Sequence, residues 1–211
     1  MDDILELSTQ VGRALQAKGL LLTTAESCTG GGVAQAITEI AGSSEWFDCG
    51  FITYSNASKT EMLDVPAALF AQHGTVSEEI AEAMAEGALA NSNAHVSLST
   101  TGIAGPGGAV PGKPVGTVCF GWSINDHTHT ERLVFSGDRQ SVRRQTVIHS
   151  LKGLLRMLEH ACRASRRRQH RLCPNAQCAG DAGDKTSCWD SQPKSGGCRH
   201  SSITGSTLSF V

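Results

Sequence analysis

No stretch of this 211-residue chain approaches the roughly 18 consecutive apolar residues of a membrane-spanning helix. The start, Met1-Asp2-Asp3-Ile4, is acidic and lacks the basic opening and apolar core of a secretory signal. The formal net charge is only -2, so no global field favours nucleic acid or a membrane surface. These absences set aside membrane proteins and general polyanion binders, and the expectation is a cytoplasmic protein with no membrane or nucleic-acid partner. Cys28, Cys49 and Cys119 of the main body are then expected to be reduced thiols packed as small hydrophobes.

Apolar residues are also scarce near the end. Residues 163–211 hold five Leu, Ile, Val or Phe residues (Leu172, Ile203, Leu208, Phe210 and Val211), too few to offset the entropy of ordering the segment. The charge balance changes at the same place, from 10 basic against 17 acidic residues in 1–162 to 8 against 3 in 163–211. The chain therefore reads as one domain over 1–162 and a disordered, basic, Cys-containing tail over 163–211. Cys173, Cys178, Cys188 and Cys198-Arg199-His200 miss the usual two-to-four-residue zinc knuckle, so no metal is expected there. The Arg166-Arg167-Arg168 run is expected to stay solvated.

The stretch that organises the domain is Thr23-Thr24-Ala25-Glu26-Ser27-Cys28-Thr29-Gly30-Gly31-Gly32. An apolar run enters it from Leu20 to Leu22, and an apolar-periodic segment, Val33 to Ile40, leaves it, which predicts strand, tight turn, helix. Such a turn offers free backbone N–H groups and the positive end of a helix dipole. Ser27 on it is either a nucleophile or a cap for the following helix, predicted over about 28–41. Elsewhere helices are predicted over 3–18, from Ser55-Asn56 to Leu63, from Ser77-Glu78-Glu79 to about Asn91, and from Arg139 to Cys162. Strands are predicted over 50–54 and 94–101, with a hairpin of 115–124 and 128–135. Alternating strands and helices followed by a hairpin define an α/β class, a mixed β-sheet with helices on both faces in a three-layer sandwich.

Four loops are unusual for a purely structural domain: the Ser27 turn, Tyr54-Ser55-Asn56-Ala57-Ser58-Lys59, the Gly/Pro-rich 102–114, and Gly137-Asp138-Arg139-Gln140-Ser141-Val142-Arg143. Three directly follow a strand, where ligands collect in α/β sheets. None of the eight histidines falls in these loops, so a hydroxyl nucleophile has no obvious His base. Lys59 is the natural replacement, because a lysine shielded from water can lose its proton near neutral pH. Taken singly it also fits a solvated helix lysine. Cys28, beside Ser27, is a minor alternative nucleophile, since a helix N-terminus lowers a thiol pKa. Lys113 either lines the site or faces solvent, and His73 and His149 have no metal-ligand spacing.

Thr24-Ala25-Glu26-Ser27-Cys28-Thr29-Gly30-Gly31, Tyr54-Ser55-Asn56 with Lys59, Gly74-Thr75-Val76-Ser77-Glu78-Glu79, Thr101-Gly102-Ile103-Ala104-Gly105-Pro106 with Lys113-Pro114-Val115-Gly116-Thr117-Val118, and Gly137-Asp138-Arg139 with Arg143 occur in this order. On these motifs the chain resembles the CinA C-terminal domain family from about residue 3 to residue 161. Stand-alone members of that family are nicotinamide mononucleotide amidases of the PncC type. The resemblance implies hydrolysis of the nucleotide's carboxamide to nicotinate mononucleotide and ammonia in pyridine-nucleotide salvage, by a metal-free serine-lysine mechanism with no cofactor. Ser27 then matches the nucleophile and Lys59 the general base, with Tyr54 orienting Lys59 or relaying its proton.

The tetrahedral oxyanion needs fixed donors. The backbone around Cys28, Thr29, Gly30 and Gly31 is expected to supply them, with the Thr101 hydroxyl a second source. The substrate phosphate is expected at Arg139, Arg143 or the backbone of Gly102 to Gly107, Gly105 included, with Asn56 also lining the site. For Arg139 a cap-region ion pair fits equally well, and of the adjacent Arg143 and Arg144 one at most is expected to face the site. Ser77-Glu78-Glu79 reads as helix capping. The competing expectation is a catalytically silent, competence-associated nucleotide-binding module, and an amidase for another nucleotide base is a third. Intact Ser27 and Lys59 favour the enzyme. A homo-oligomer is expected, a dimer in its simplest form, because a lone mixed sheet has edges to cover.

Overall fold

The computed structural model describes residues 3–124 and 127–172. The elements run α1 (Asp3–Gln16), β1 (Leu22–Glu26), α2 (Gly32–Thr38), a 3-10 turn (Ser43–Glu45), β2 (Phe47–Ile52), α3 (Asn56–Leu63), α4 (Ala67–His73), α5 (Glu78–Ala90), β3 (Val96–Gly102), β4 (Thr117–Ile124), β5 (His127–Val134) and α6 (Arg139–Leu172). One five-stranded sheet has the order β2-β1-β3-β4-β5. β1 lies parallel to both β2 and β3, while β3, β4 and β5 are antiparallel. The mixed sheet with a helical layer on each face is the architecture the element order predicts.

Strand periodicity gives the two faces different chemistry. Leu22, Val96, Leu98, Val118, Phe120, Trp122 and Ile124 are buried in one apolar cluster with Val11 and Leu15 of α1, Val33 and Ile37 of α2, and Val142, Leu151, Leu154 and Leu158 of α6. The intervening residues are small. The Ser97 and Ser99 hydroxyls donate to the Ala85 and Ala81 carbonyls of α5 at 2.7 and 2.5 Å. The short side chains let α5 approach this face, and the buried hydroxyls have partners. A smaller cluster of Ala25, Leu63, Val65, Ile80, Met84 and Ala88 joins α3 and α5 to it.

Several boundaries differ from expectation. The helix after the Ser27 turn starts at Gly32, not near Cys28, and ends at Thr38. β2 begins three residues early, at Phe47, because parallel pairing with β1 sets its register rather than its own β-branched content. α4 was not expected; Pro66 ends the preceding segment and also supplies the N-cap of the next helix. α6 continues ten residues beyond the expected end at Cys162, through Leu172, so the start of the expected tail is helical. Arg, Ala, Gln and Leu are good helix formers, and that propensity extends the helix where apolar periodicity stops. Residues 173–211, with the tail cysteines, lie outside the described residues, as does the Asn125-Asp126 hairpin turn. Among the described residues no helix is long and apolar enough to cross a membrane.

Candidate active site

The parallel strands β1, β2 and β3 end side by side, and the chain leaves each of them with a polar segment: Ser27 to Gly31, Thr53 to Ser55, and the 103–114 loop. Ser27 directly follows β1, its N–H donating to the Thr100 carbonyl at 2.9 Å. The Thr29 and Thr100 hydroxyls pair at 2.8 Å in the interior, tying the turn to β3 a second time. Gly30 and Gly31 have φ of 58° and 90°, the left-handed region that side chains avoid, and this lets the turn reverse tightly into α2. Ser27 is not the cap of α2. Gly31 holds that position without a capping side chain, and the first free N–H groups of the helix are taken by Glu26.

Lys59 reaches the turn from α3. The Ser55 hydroxyl caps that helix, accepting from the Ser58 N–H at 3.0 Å, and this local signal places Lys59 one turn in. Lys59 is 0% exposed and Ser27 is 8% exposed. The Nζ lies 3.1 Å from Ser27 Oγ and 2.7 Å from the Thr53 carbonyl. The reading of Lys59 as a solvated helix lysine is thereby corrected. Burial pushes its pKa down from 10.5 to about 8, because a buried ammonium loses its hydration. A neutral Lys59 amine can donate to Thr53 O and accept the Ser27 proton, the two hydrogen bonds a general base at this position needs.

The neighbouring Cys28 thiol is buried. Burial pushes Cys28 up to about 12, so it stays protonated at neutral pH, contrary to the lowering expected of a helix N-terminus. Its position in a dry turn, before α2 begins, is the reason. A Cβ added at Gly102 would come within 3.1 Å of the Cys28 sulfur, so β3 packs directly against it.

The remaining expected residues are distributed around this pair. Tyr54 is 61% exposed, and its hydroxyl accepts from Arg139 at 2.9 Å rather than bonding to Lys59. Lys59 is oriented by the Thr53 carbonyl instead. Arg139 also donates to the Gly105 carbonyl at 3.0 Å, so its guanidinium links the Tyr54 segment to the Gly/Pro-rich loop. Arg143 donates to the Thr29 carbonyl at 2.6 Å and so braces the Ser27 turn from α6. The Thr101 hydroxyl gives its proton to the Thr75 carbonyl at 2.9 Å, and Asn56 Oδ1 accepts from the Thr75 hydroxyl at 2.9 Å. Lys113 is tied to the His73 carbonyl at 2.7 Å, fixing the far end of its loop against α4. Asp138 accepts from the Ser141 N–H at 2.8 Å and caps α6, and Ser77 caps α5 as expected.

The turn N–H groups of Ser27, Gly30 and Gly32 are committed to Thr100, Ser27 and Thr29 carbonyls. Of the expected oxyanion donors, those of Cys28, Thr29 and Gly31 are left. Sequence reasoning missed Glu26, Thr53, Thr75 and Thr100. Thr53 acts through its backbone carbonyl, which carries no side-chain signal, whereas Glu26 and Thr75 lie within the motifs at 24–31 and 74–79. A cleft of about 520 Å³ between α1, α2 and α6 shares Thr29 and Arg143 with the turn, but Ser27, Lys59, Tyr54 and Arg139 do not line it.

Fold and site together define an α/β protein with a buried serine–lysine pair at the carboxyl ends of parallel strands. The profile of the CinA C-terminal domain matches residues 4–158, and the chain belongs to that family. It is 52% identical over 157 residues to the nicotinamide-nucleotide amidohydrolase PncC of Pseudomonas putida, covering 74% of this chain and 98% of that protein. It is 51% identical over 153 residues to the protein of the same name from Escherichia coli K12, covering 72% and 93%. The crystal structure of competence/damage inducible protein CihA from Agrobacterium tumefaciens superposes with a TM-score of 0.73 at 40% identity, covering 75% of this chain and 97% of that one.

Proposed function

We propose that this protein hydrolyses the carboxamide of nicotinamide mononucleotide to nicotinate mononucleotide and ammonia, through a Ser27 acyl-enzyme with Lys59 as general base, in pyridine-nucleotide salvage. The observation that carries the reading is a fully buried lysine whose Nζ stands 3.1 Å from a serine hydroxyl. Burying an ammonium is costly, and a lysine without a chemical task is rarely placed so. The names of the P. putida and E. coli relatives point to the same substrate class.

Each step uses a group of the Ser27 turn or Lys59. Ser27 Oγ attacks the carboxamide carbon while its proton passes to neutral Lys59. The oxyanion forms against the N–H groups of Cys28, Thr29 and Gly31. Collapse breaks the C–N bond, and the Lys59 ammonium returns the proton to the leaving nitrogen, releasing ammonia. A water molecule, deprotonated by Lys59, then attacks the ester carbon and frees Ser27. Ammonia release from nicotinamide mononucleotide should be steady in the wild type and fall by at least about 1000-fold in Ser27→Ala, with folding intact. A wild type that binds the nucleotide tightly without turnover would replace the enzyme reading with the binding-module one.

Arg139, exposed at the mouth between Tyr54 and Gly105, is the residue we assign to the substrate phosphate. Tyr54 then orients Arg139 rather than Lys59. Charge-assisted bonds to a phosphate contribute about 1.5–3 kcal/mol, so Arg139→Met should raise KM about 10- to 100-fold while kcat changes little. Steady-state kinetics check this; an unchanged KM would move the phosphate elsewhere. The same reading carries a cytosolic location and a homo-oligomer, since β2 and β5 form the edges of the sheet.

A further inference from the structure

We infer that Glu26 is the positioning residue of the nucleophile turn, a role that rests on the serine-lysine reading above. The side chain is 1% exposed, and both carboxylate oxygens are used. Oε2 accepts from the Val33 N–H at 3.0 Å and Oε1 from the Ala34 N–H at 2.8 Å. Glu26 therefore ends the strand before Ser27 and caps the helix after it, closing the intervening residues 27–31 into a loop fastened at both ends by one side chain.

The reason a distant carboxylate does this work lies in the turn itself. A helix is ordinarily capped by Ser, Thr, Asp or Asn at the N-cap position. Here that position is Gly31 at φ 90°, where an L side chain is strained, so the geometry that presents Ser27 excludes a local cap. Without Glu26 the Val33 and Ala34 N–H groups would lack a partner, the first of them buried and the second half-buried. The Glu26 main chain serves the same site. Its carbonyl accepts from the Thr53 N–H at 2.9 Å, the Thr53 carbonyl accepts from Lys59 Nζ at 2.7 Å, and Nζ meets Ser27 Oγ at 3.1 Å. One residue thus spaces nucleophile and base through a closed ring of hydrogen bonds. The carboxylate also fills the N–H groups that would otherwise attract an anion. The substrate phosphate is left to the Arg139 side of the site.

The test is Glu26→Gln, whose amide can accept from one helix N–H but turns an NH₂ toward the other. Ser27 acylation by p-nitrophenyl acetate and ammonia release should both slow about 10- to 100-fold per folded molecule, because small misplacements of a reacting atom carry costs of that size. KM for nicotinamide mononucleotide should stay within about 2-fold, a split that mere loss of folded protein does not produce. A folded Glu26→Gln acylated at the wild-type rate overturns the proposal. A wild type that is acylated by the ester but releases no ammonia overturns the substrate reading alone, while one inert to both overturns the two together. Should Glu26→Gln fail to fold, Glu26→Asp, which keeps the charge but reaches one N–H at most, is measured in the same way. A slowed, folded Glu26→Asp supports the positioning role. Wild-type rates in it, or failure of both variants to fold, would reduce Glu26 to a folding residue.

Discussion

Lys59→Met should lose turnover and yet be the more stable protein at neutral pH. The activity loss follows from removing the base that takes the Ser27 proton, an effect of about 100- to 10,000-fold. The stability gain follows from the site's cost to the fold. In the folded chain burial lowers the Lys59 pKa from 10.5 to about 8, so between those values the unfolded chain holds a proton that the folded chain does not. Stability of the wild type therefore rises with pH through that window. Below about pH 8 the full penalty is present, about 3 kcal/mol by proton linkage. Methionine fills a similar volume without charge. Against it stands the Thr53 carbonyl, which loses its donor at a cost of about 1 kcal/mol. The expected net gain is about 2 kcal/mol at pH 7, falls to about zero near pH 10, and turns into a loss of up to about 1 kcal/mol above pH 10.5. Urea denaturation of both proteins at pH 7 and pH 10 reads this directly. Equal stability at the lower pH would mean that the lysine is not held in a dry site. Activity of the wild type should rise in step with the same titration, with a midpoint near pH 8.

The second large effect is expected far from any reacting atom, at Gly87. A Cβ there would lie 1.9 Å from the Leu63 carbonyl oxygen and 2.8 Å from its carbon. Both are backbone atoms at the end of α3, so no side chain can turn aside to relieve the collision. Gly87 is thus the point at which α5 admits α3, the helix that carries Lys59. Gly87→Ala should cost about 3 kcal/mol, the upper part of the range for overpacking, although alanine alone is the better helix former. For a domain of this size that corresponds to a fall in Tm of about 6–12 °C. The remaining folded molecules should be slower as well, because a displaced α3 moves Nζ away from Ser27. Thermal melts and kcat together test the claim. A variant with an unchanged Tm would show that α3 can yield without loss.

The local features of this protein were readable in the order of its residues. Apolar Leu20 to Leu22 running into Ser27 and three glycines signals a strand, a turn and a helix, because strand burial and tight reversal are short-range demands. Ser77 caps its helix as expected, and Ser55 and Asp138 cap theirs in the same way, since a cap is satisfied within three residues of itself. Alternating elements and a final hairpin were enough for the α/β class and the mixed sheet.

What joined residues far apart in the chain was decided by the tertiary structure. Lys59 was the expected base, but taken singly it also fits a surface lysine; β2 and α3 carry it to Ser27, 32 residues back in the chain. Tyr54 stands five residues from Lys59 in the chain, yet its hydroxyl turns outward to Arg139, 85 residues away. The N-cap of α2 belongs to Glu26, because Gly30 and Gly31 decide the path of the turn and a capping side chain cannot occupy a left-handed position. Periodicity, propensity and capping act over a few residues and are written in the sequence one element at a time. Burial, and the pKa that burial sets, depend on which elements converge, and at this site that was decided only when three parallel strands ended side by side.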